Sequence, residues 1–220
     1  MPNKPTSARE DYLKAVFALG DGDRLVHTKE LSESLKVSKP SVSAMLRRLA
    51  DEGLVEYAPR KGVRLTEDGR LSTMQVVRRH RLLETFFVQV LGLDWSEVHQ
   101  DAEILEHHLS ERIVDAIDRV LEHPSEDPHG HPIPDADGAL RQRDLSPLVE
   151  LERGEQGRVR EMRSEQTEHL RRWKELGLLP GVKFQMESKA EFEDVMHIRI
   201  GSRVIVTGSE GVEGVFVERL

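Results

Sequence analysis

The stretch that decides the fold runs from Ser38 to Leu65. It reads Ser38-Lys-Pro-Ser-Val-Ser-Ala-Met-Leu-Arg-Arg-Leu-Ala-Asp51, then Glu52-Gly53, Leu54-Val-Glu-Tyr57, Pro59-Arg-Lys-Gly62 and Val63-Arg-Leu65. Ser38 offers a capping hydroxyl, and Pro40 falls in the first turn, where its missing N–H costs little. Val42, Met45, Leu46 and Leu49 recur at helical spacing and are expected in a core. Glu52-Gly53 stops that helix. The two short runs that follow, joined by Pro59–Gly62, read as paired strands with a basic turn.

Upstream, Ser7-Ala-Arg-Glu10 has the spacing of a capping box and predicts a helix start. Leu13, Val16 and Phe17 continue that helix, and Gly20-Asp-Gly22 ends it. A second helix is predicted from Thr28 to Leu35. Three helices followed by a hairpin make a winged helix-turn-helix. Downstream, Thr66-Glu-Asp caps a long helix to about Leu91, which Gly92-Leu-Asp-Trp95 breaks. Helices follow over about Ser96–Leu109 and Arg112–Glu122. Residues 124–134 are too proline-rich for helix or strand, and 135–146 read as a polar linker. From Leu148 the pattern becomes Gly157-Arg-Val, Val182–Met186, His197–Ile200, Arg203–Val206 and Val215–Val217, a small β-barrel with one helix inserted over about Glu165–Leu176. The fold class is therefore mainly α with small β parts. The expected domains are 1–74, a winged helix-turn-helix; 75–146, helical, with the proline-rich loop and linker; and 147–220, the barrel.

The chain has 220 residues, a formal net charge of −8 and no cysteine. Disulfides, thiolate metal sites and cysteine nucleophiles are thereby excluded. No run approaches the roughly 20 apolar residues of a membrane span, and the first residues lack an apolar signal segment. A cytoplasmic protein is expected, with no membrane partner. The charge is uneven: residues 36–64 carry 7 Lys/Arg against 3 Asp/Glu, whereas residues after 75 carry 19 against 29. A basic head on an acidic body fits a DNA-binding module joined to something that holds cations.

The face of the third helix opposite its apolar stripe carries Pro40, Ser43, Ala44 and Arg47, flanked by Ser41 and Arg48. Small residues let such a helix approach the major-groove floor, while hydroxyls and arginines reach base edges and phosphates. Ser38, Lys39 and the helix start suit phosphates. Arg60 and Lys61 form the tip of the wing.

A second constellation lies in the acidic body. His99, Glu103, Glu106 and His107 share one predicted helix and project into a sector of about 100°. His80 and Glu84 stand one turn apart on the preceding helix. Residues 84–127 hold twelve Asp/Glu and only two Lys/Arg. Carboxylates bordering a core are costly without a counter-cation, and a divalent ion supplies one. Oxygen and imidazole donors suit Mn²⁺ and Fe²⁺, but also Zn²⁺, Co²⁺ and Ni²⁺.

With these residues in place, the chain resembles the diphtheria-toxin-repressor and manganese-transport-regulator family over essentially its whole length. The resemblance is carried by Asp11-Tyr-Leu, Ser38–Ser43, Asp51-Glu-Gly-Leu-Val55, Arg79-His-Arg-Leu-Leu-Glu84, Gly92-Leu-Asp94, Val98-His99, Glu106-His-His-Leu-Ser110, His129-Gly-His-Pro-Ile-Pro134 and Glu175-Leu-Gly-Leu-Leu-Pro-Gly181. It implies a barrel of the Src-homology-3-like, FeoA-like type, and helices 75–146 that bind metal and dimerise. It also implies a primary metal site of Asp11, Glu103, Glu106 and His107. An ancillary site would use His80, Glu84 and His99, completed from the last domain by Gln166 and His169, with Glu165 and Glu168 as alternatives. Iron-sensing members have sulfur ligands where this chain has Asp11 and Glu103, so Mn²⁺ is the expected cofactor and Fe²⁺ the next candidate. The manganese branch has a Glu where this chain has Lys14. The implied function is a metal-dependent repressor of metal-homeostasis genes, a homodimer on a palindromic operator, not an enzyme and without a small-molecule substrate. Three rivals stand beside it: a winged-helix regulator sensing an organic ligand, a metallohydrolase, for which the sequence offers no HExxH signature, and an iron-transport accessory protein, suggested only by the barrel.

Overall fold

A computed structural model describes residues 7–20, 24–164, 166–190 and 194–220. The chain divides into two compact units. The first comprises residues 1–80, 104–111 and 134–140, and the second 81–103, 112–133 and 141–220.

In the first unit, helices α1 (Ser7–Leu19), α2 (Thr28–Ser34) and α3 (Lys39–Asp51) precede strands β1 (Val55–Ala58) and β2 (Gly62–Leu65), and α4 (Glu67–Gln89) begins. Ser38 caps α3 by accepting the Ser41 amide at 3.3 Å. Val42, Leu46 and Leu49 are fully buried with Leu13, Leu31, Val26 and Val63, and Met45 packs half-buried against them. The hairpin is antiparallel, with Val55 opposite Leu65 and Ala58 opposite Gly62. Arg9 at the start of α1 pairs with Glu52, the C-cap of α3. Thr66 donates to the Gly53 carbonyl at 2.7 Å and accepts the Gly69 amide at 3.0 Å, so one hydroxyl sets the entry to α4. Gly69 is required there: a Cβ would lie 1.8 Å from the Leu54 carbonyl oxygen. The helix-turn-helix and wing read from the sequence are thus the observed elements. The Gly20–Gly22 stop falls mostly outside the described residues.

The second unit carries the rest of α4, most of α5 (Val98–Leu105) and α6 (Glu111–Val120), and a sheet with strand order β3-β8-β4-β5-β6-β7. These strands are β3 (Ser146–Pro147), β4 (Gln156–Met162), β5 (Lys183–Ala190), β6 (Val195–Ile200), β7 (Arg203–Thr207) and β8 (Val215–Arg219), and every pairing is antiparallel. Helix α7 (Thr167–Leu176) packs Trp173 into their core beside Leu148, Val159, Met162, Met186 and Val217. The Trp173 indole N–H donates to the Gly211 carbonyl at 3.0 Å, so the buried ring leaves no polar atom unmet. Gly177 ends α7 in the left-handed region, as a C-terminal cap requires. The strands and inserted helix read from the sequence beyond residue 147 are thus present, in one six-stranded antiparallel sheet.

One expectation needs correction. The helix read from Ser96 to Leu109 spans only Val98–Leu105, and Glu106–His108 form a turn. Helical spacing continues through the sequence, but Glu106 is drawn into long-range contacts that a continuing helix does not decide. Among the described residues, no helix is long and apolar enough to cross a membrane.

Candidate metal centre and nucleic-acid interface

Glu106 is the anchor of the first cluster. Its side chain has no solvent exposure, and three groups of the same unit surround it. The Lys14 ammonium lies 2.7 Å from Oε1, His80 Nδ1 lies 2.5 Å from Oε2, and His107 Nε2 lies 3.5 Å from Oε1. Asp11 Oδ1 stands 3.0 Å from the same His107 nitrogen. Asp11, Glu106 and His107 therefore offer donor atoms all within 4.8 Å of one another. α1 contributes Asp11 because the next turn buries Leu13 and Val16, which fixes the helix's rotation.

Behind His107 stands Glu10. Its Oε2 is 2.5 Å from His107 Nδ1, and its Oε1 accepts from the Arg79 guanidinium at 2.8 Å. Arg79 reaches Glu111 with its other amino group at 3.2 Å. The capping-box spacing had suggested that Glu10 would serve the start of its own helix. Its carboxylate instead faces residues 69 and 97 positions away.

A second cluster lies in the other unit. Glu84 on α4 is buried, with His99 Nδ1 3.2 Å from one oxygen and His129 Nδ1 3.5 Å from the other. His129 Nε2 donates to the Trp95 carbonyl at 2.8 Å, which leaves Nδ1 toward Glu84. Asp127 accepts the His129 and His131 amides at 2.8 and 2.9 Å and faces His131 Nδ1 at 3.0 Å. Asp127, His129 and His131 again place donors within 4.8 Å of one another. Burial pulls the His129 imidazolium down, but the neighbouring Glu84 and Asp127 carboxylates outweigh it and hold the group above its usual value. Burial likewise pushes Asp127 up, and His131 more than offsets it, leaving the carboxyl below its ordinary range. Arg81 lies 3.8 Å from Asp127, its own pKa drawn down by burial. Gly130, at φ +87°, turns this loop so tightly that a Cβ would sit 1.8 Å from the Arg160 carbonyl oxygen.

The two units distribute the sequence candidates unevenly. Asp11, His80, Glu106 and His107 fall in the first, where His80, which the resemblance assigns to the ancillary set, touches Glu106. Glu84 and His99 meet in the second. Glu103 is half-buried in the last turn of α5. Gln166 is the exposed N-cap of α7, and exposed His169 contacts Ser164 Oγ at 3.2 Å; it joins no His/Asp/Glu cluster among the described residues. Glu168 is exposed, and Glu165 lies outside the described residues. Asp127, His129 and His131 were quoted in the sequence only as a loop signature. Their alternation of acid and imidazole at i, i+2 and i+4 was the available signal. Both clusters present carboxylate oxygen and imidazole nitrogen without sulfur, a donor set that fits Mn²⁺ or Fe²⁺.

Also in the first unit, Ser38, Lys39, Pro40, Ser41, Ala44, Arg47 and Arg48 are exposed along the start and outer side of α3, and Ser43 is half-buried. Tyr57 on β1 approaches Ser43 at 3.5 Å, which ties the wing to that helix. Arg60, at φ 68°, and Lys61 are exposed in the hairpin turn.

Three family models match in succession: the N-terminal DNA-binding domain of iron-dependent repressors over residues 5–63, their metal-binding and dimerisation domain over 66–135, and the FeoA domain over 146–219. The iron-dependent repressor IdeR of Mycobacterium bovis is 36% identical over 132 residues, which are 60% of this chain and 57% of that protein. IdeR of Mycobacterium leprae is 30% identical over 200 residues, 84% of this chain and 86% of that protein. A solved manganese-dependent transcriptional repressor in complex with manganese superposes with a TM-score of 0.89 at 36% identity, covering 96% of this chain and all of that one. By its three matched domains, its fold and this extended likeness, the chain belongs to the iron-dependent repressor family of metal-regulated, DNA-binding transcriptional repressors, which are not enzymes.

Proposed function

We propose that this chain is a homodimeric transcriptional repressor of metal-homeostasis genes that binds a palindromic operator when loaded with Mn²⁺, with Fe²⁺ the alternative activator. The carrying observation is that α1, the helix packed under the DNA-reading head, brings Asp11 to Glu106 and His107. The primary site is Asp11, Glu106 and His107, with His80 against Glu106; Glu103 stays as its sequence-derived candidate. The ancillary set is Glu84 and His99 with Asp127, His129 and His131; His80, Gln166 and His169 stay as its sequence-derived candidates. The DNA-facing residues are Ser38, Lys39, Pro40, Ser41, Ser43, Arg47, Arg48, Arg60 and Lys61.

A bound divalent cation supplies positive charge that lets the acidic groups stay together. The chain's own residues do the rest. Asp11, presented by α1, faces Glu106 and His107 of the turn after α5, and Arg9 carries the position of α1 to the end of α3 through Glu52. Metal that binds this arrangement better than a looser one shifts the population toward it, and DNA affinity rises by linkage. Exposed apolar side chains at Ile104, Ile113 and Val120 suit dimer contacts.

The test is selection of bound genomic fragments at fixed salt with Mn²⁺, with Fe²⁺ under anaerobic conditions, and with chelator. Recovery of a palindromic site only with metal is expected; equal recovery with chelator contradicts the reading. On the recovered site, Arg47→Ala is expected to weaken DNA binding by about tenfold while leaving Mn²⁺ affinity unchanged. Equal operator affinity would show that the reading face is wrong.

A further inference from the structure

We propose that Glu10 is a positioning residue for the primary metal site, one that selects which nitrogen of His107 meets the ion. This inference rests on the metal-site reading above. Consecutive residues of α1 hold opposite edges of one imidazole: Glu10 Oε2 lies 2.5 Å from Nδ1, and Asp11 Oδ1 lies 3.0 Å from Nε2. A carboxylate can only accept, so Glu10 keeps a hydrogen on Nδ1, and an ion seated among Asp11, Glu106 and Nε2 would replace the hydrogen that Nε2 otherwise offers to Asp11. Imidazole ligands are commonly oriented in this way by a carboxylate on the other nitrogen, which also raises their basicity.

Glu10 is suited to this task rather than to ligation. It is 6% exposed and both its oxygens are engaged, Oε1 by Arg79 and Oε2 by His107. The buried Arg79 neutralises it, so its charge is matched inside the protein before any ion arrives. The grip of α1 on His107 then has two halves. The Glu10 half is present without metal, and the Asp11 half is the one that an ion strengthens. Glu10 thereby aims the ligand and keeps α1 near its working position in the empty protein.

The test uses the full chain with Glu10→Ala and Glu10→Gln. Isothermal titration with Mn²⁺ measures affinity and stoichiometry, and long-range ¹H–¹⁵N spectra of the metal-free protein at mildly alkaline pH report the His107 tautomer. Wild type is expected to show hydrogen on Nδ1. Glu10→Ala is expected to lose that preference and about 10–100-fold in Mn²⁺ affinity at the first site, with unchanged stoichiometry. Glu10→Gln, whose amide can accept from Nδ1 or donate to it, is expected to give a mixed tautomer and a smaller loss, and it keeps the shape of the side chain if the alanine variant fails to fold. Wild-type affinity in either folded variant, or a wild-type His107 with hydrogen on Nε2 and none on Nδ1, overturns the proposal. Failure of wild type itself to bind Mn²⁺ would instead overturn the underlying site.

Discussion

The two His/carboxylate clusters contain the same chemistry but are built in opposite ways. The first joins α1, α4 and the turn after α5 through contacts spanning 26, 92 and 97 residues of sequence. The second centres on one loop whose Asp127 collects the amides of His129 and His131 within four residues. A long-range cluster changes the disposition of helices when its charge balance changes. A locally templated one has its shape set by the loop backbone. Even their histidines follow the contrast: His107 is oriented by a side-chain carboxylate from α1, His129 by the Trp95 backbone carbonyl. The first cluster is therefore the better switch, and the second the better fixed receptor.

The contrast breaks most sharply at its internal cations. Lys14→Met leaves the fully buried Glu106 without its ammonium partner. Removing one member of a buried pair costs about 3–5 kcal/mol, so the metal-free variant should unfold at markedly lower urea, and Mn²⁺ should restore much of the loss. An unchanged urea midpoint would show that Lys14 does not carry the charge balance.

Next in size is the ligand comparison. Glu106→Ala should lower Mn²⁺-dependent operator affinity by on the order of 100-fold or more, since it removes a donor rather than a supporting group. Asp127→Ala should weaken metal uptake at the second cluster while leaving a metal response in DNA binding. Mobility-shift titrations against Mn²⁺ check both, and equal losses would erase the distinction between switch and receptor.

The helices and strands were largely legible in the sequence because local signals agreed with the tertiary outcome. Ser38, Pro40 and Gly53 mark the ends of α3, and its apolar stripe is the observed core face. The metal centre was legible only in part. Glu106 and His107 were named as candidates, but by extending a helix that ends at Leu105, because spacing does not reveal that Glu106 meets Lys14 and His80. Glu10 was read as a local cap since its partners Arg79 and His107 are remote. Asp127, His129 and His131 went unread as donors because a proline-rich loop has no periodicity from which to infer a shared face.

The smallest effect concerns an ion pair within the second unit. Lys174, and then Ser96, hold the Asp94 carboxyl well below its ordinary 3.8. Because its folded value is depressed, the pair stabilises fully above the unfolded value and loses this as pH falls below 3.8 toward the folded value. Both side chains are more than 40% exposed, so the effect should stay under about 1 kcal/mol. Wild type should exceed Asp94→Asn in urea midpoint at neutral pH, and the gap should close in strong acid. A gap that widens with acid would contradict the assignment.

The most direct measurement is an anomalous-scattering crystal structure of the Mn²⁺-loaded chain. A manganese peak within bonding distance of Asp11, Glu106 and His107 Nε2 is the predicted result. A fully loaded protein whose manganese leaves Asp11 uncoordinated would contradict the claim that one ion ties α1 to the turn after α5.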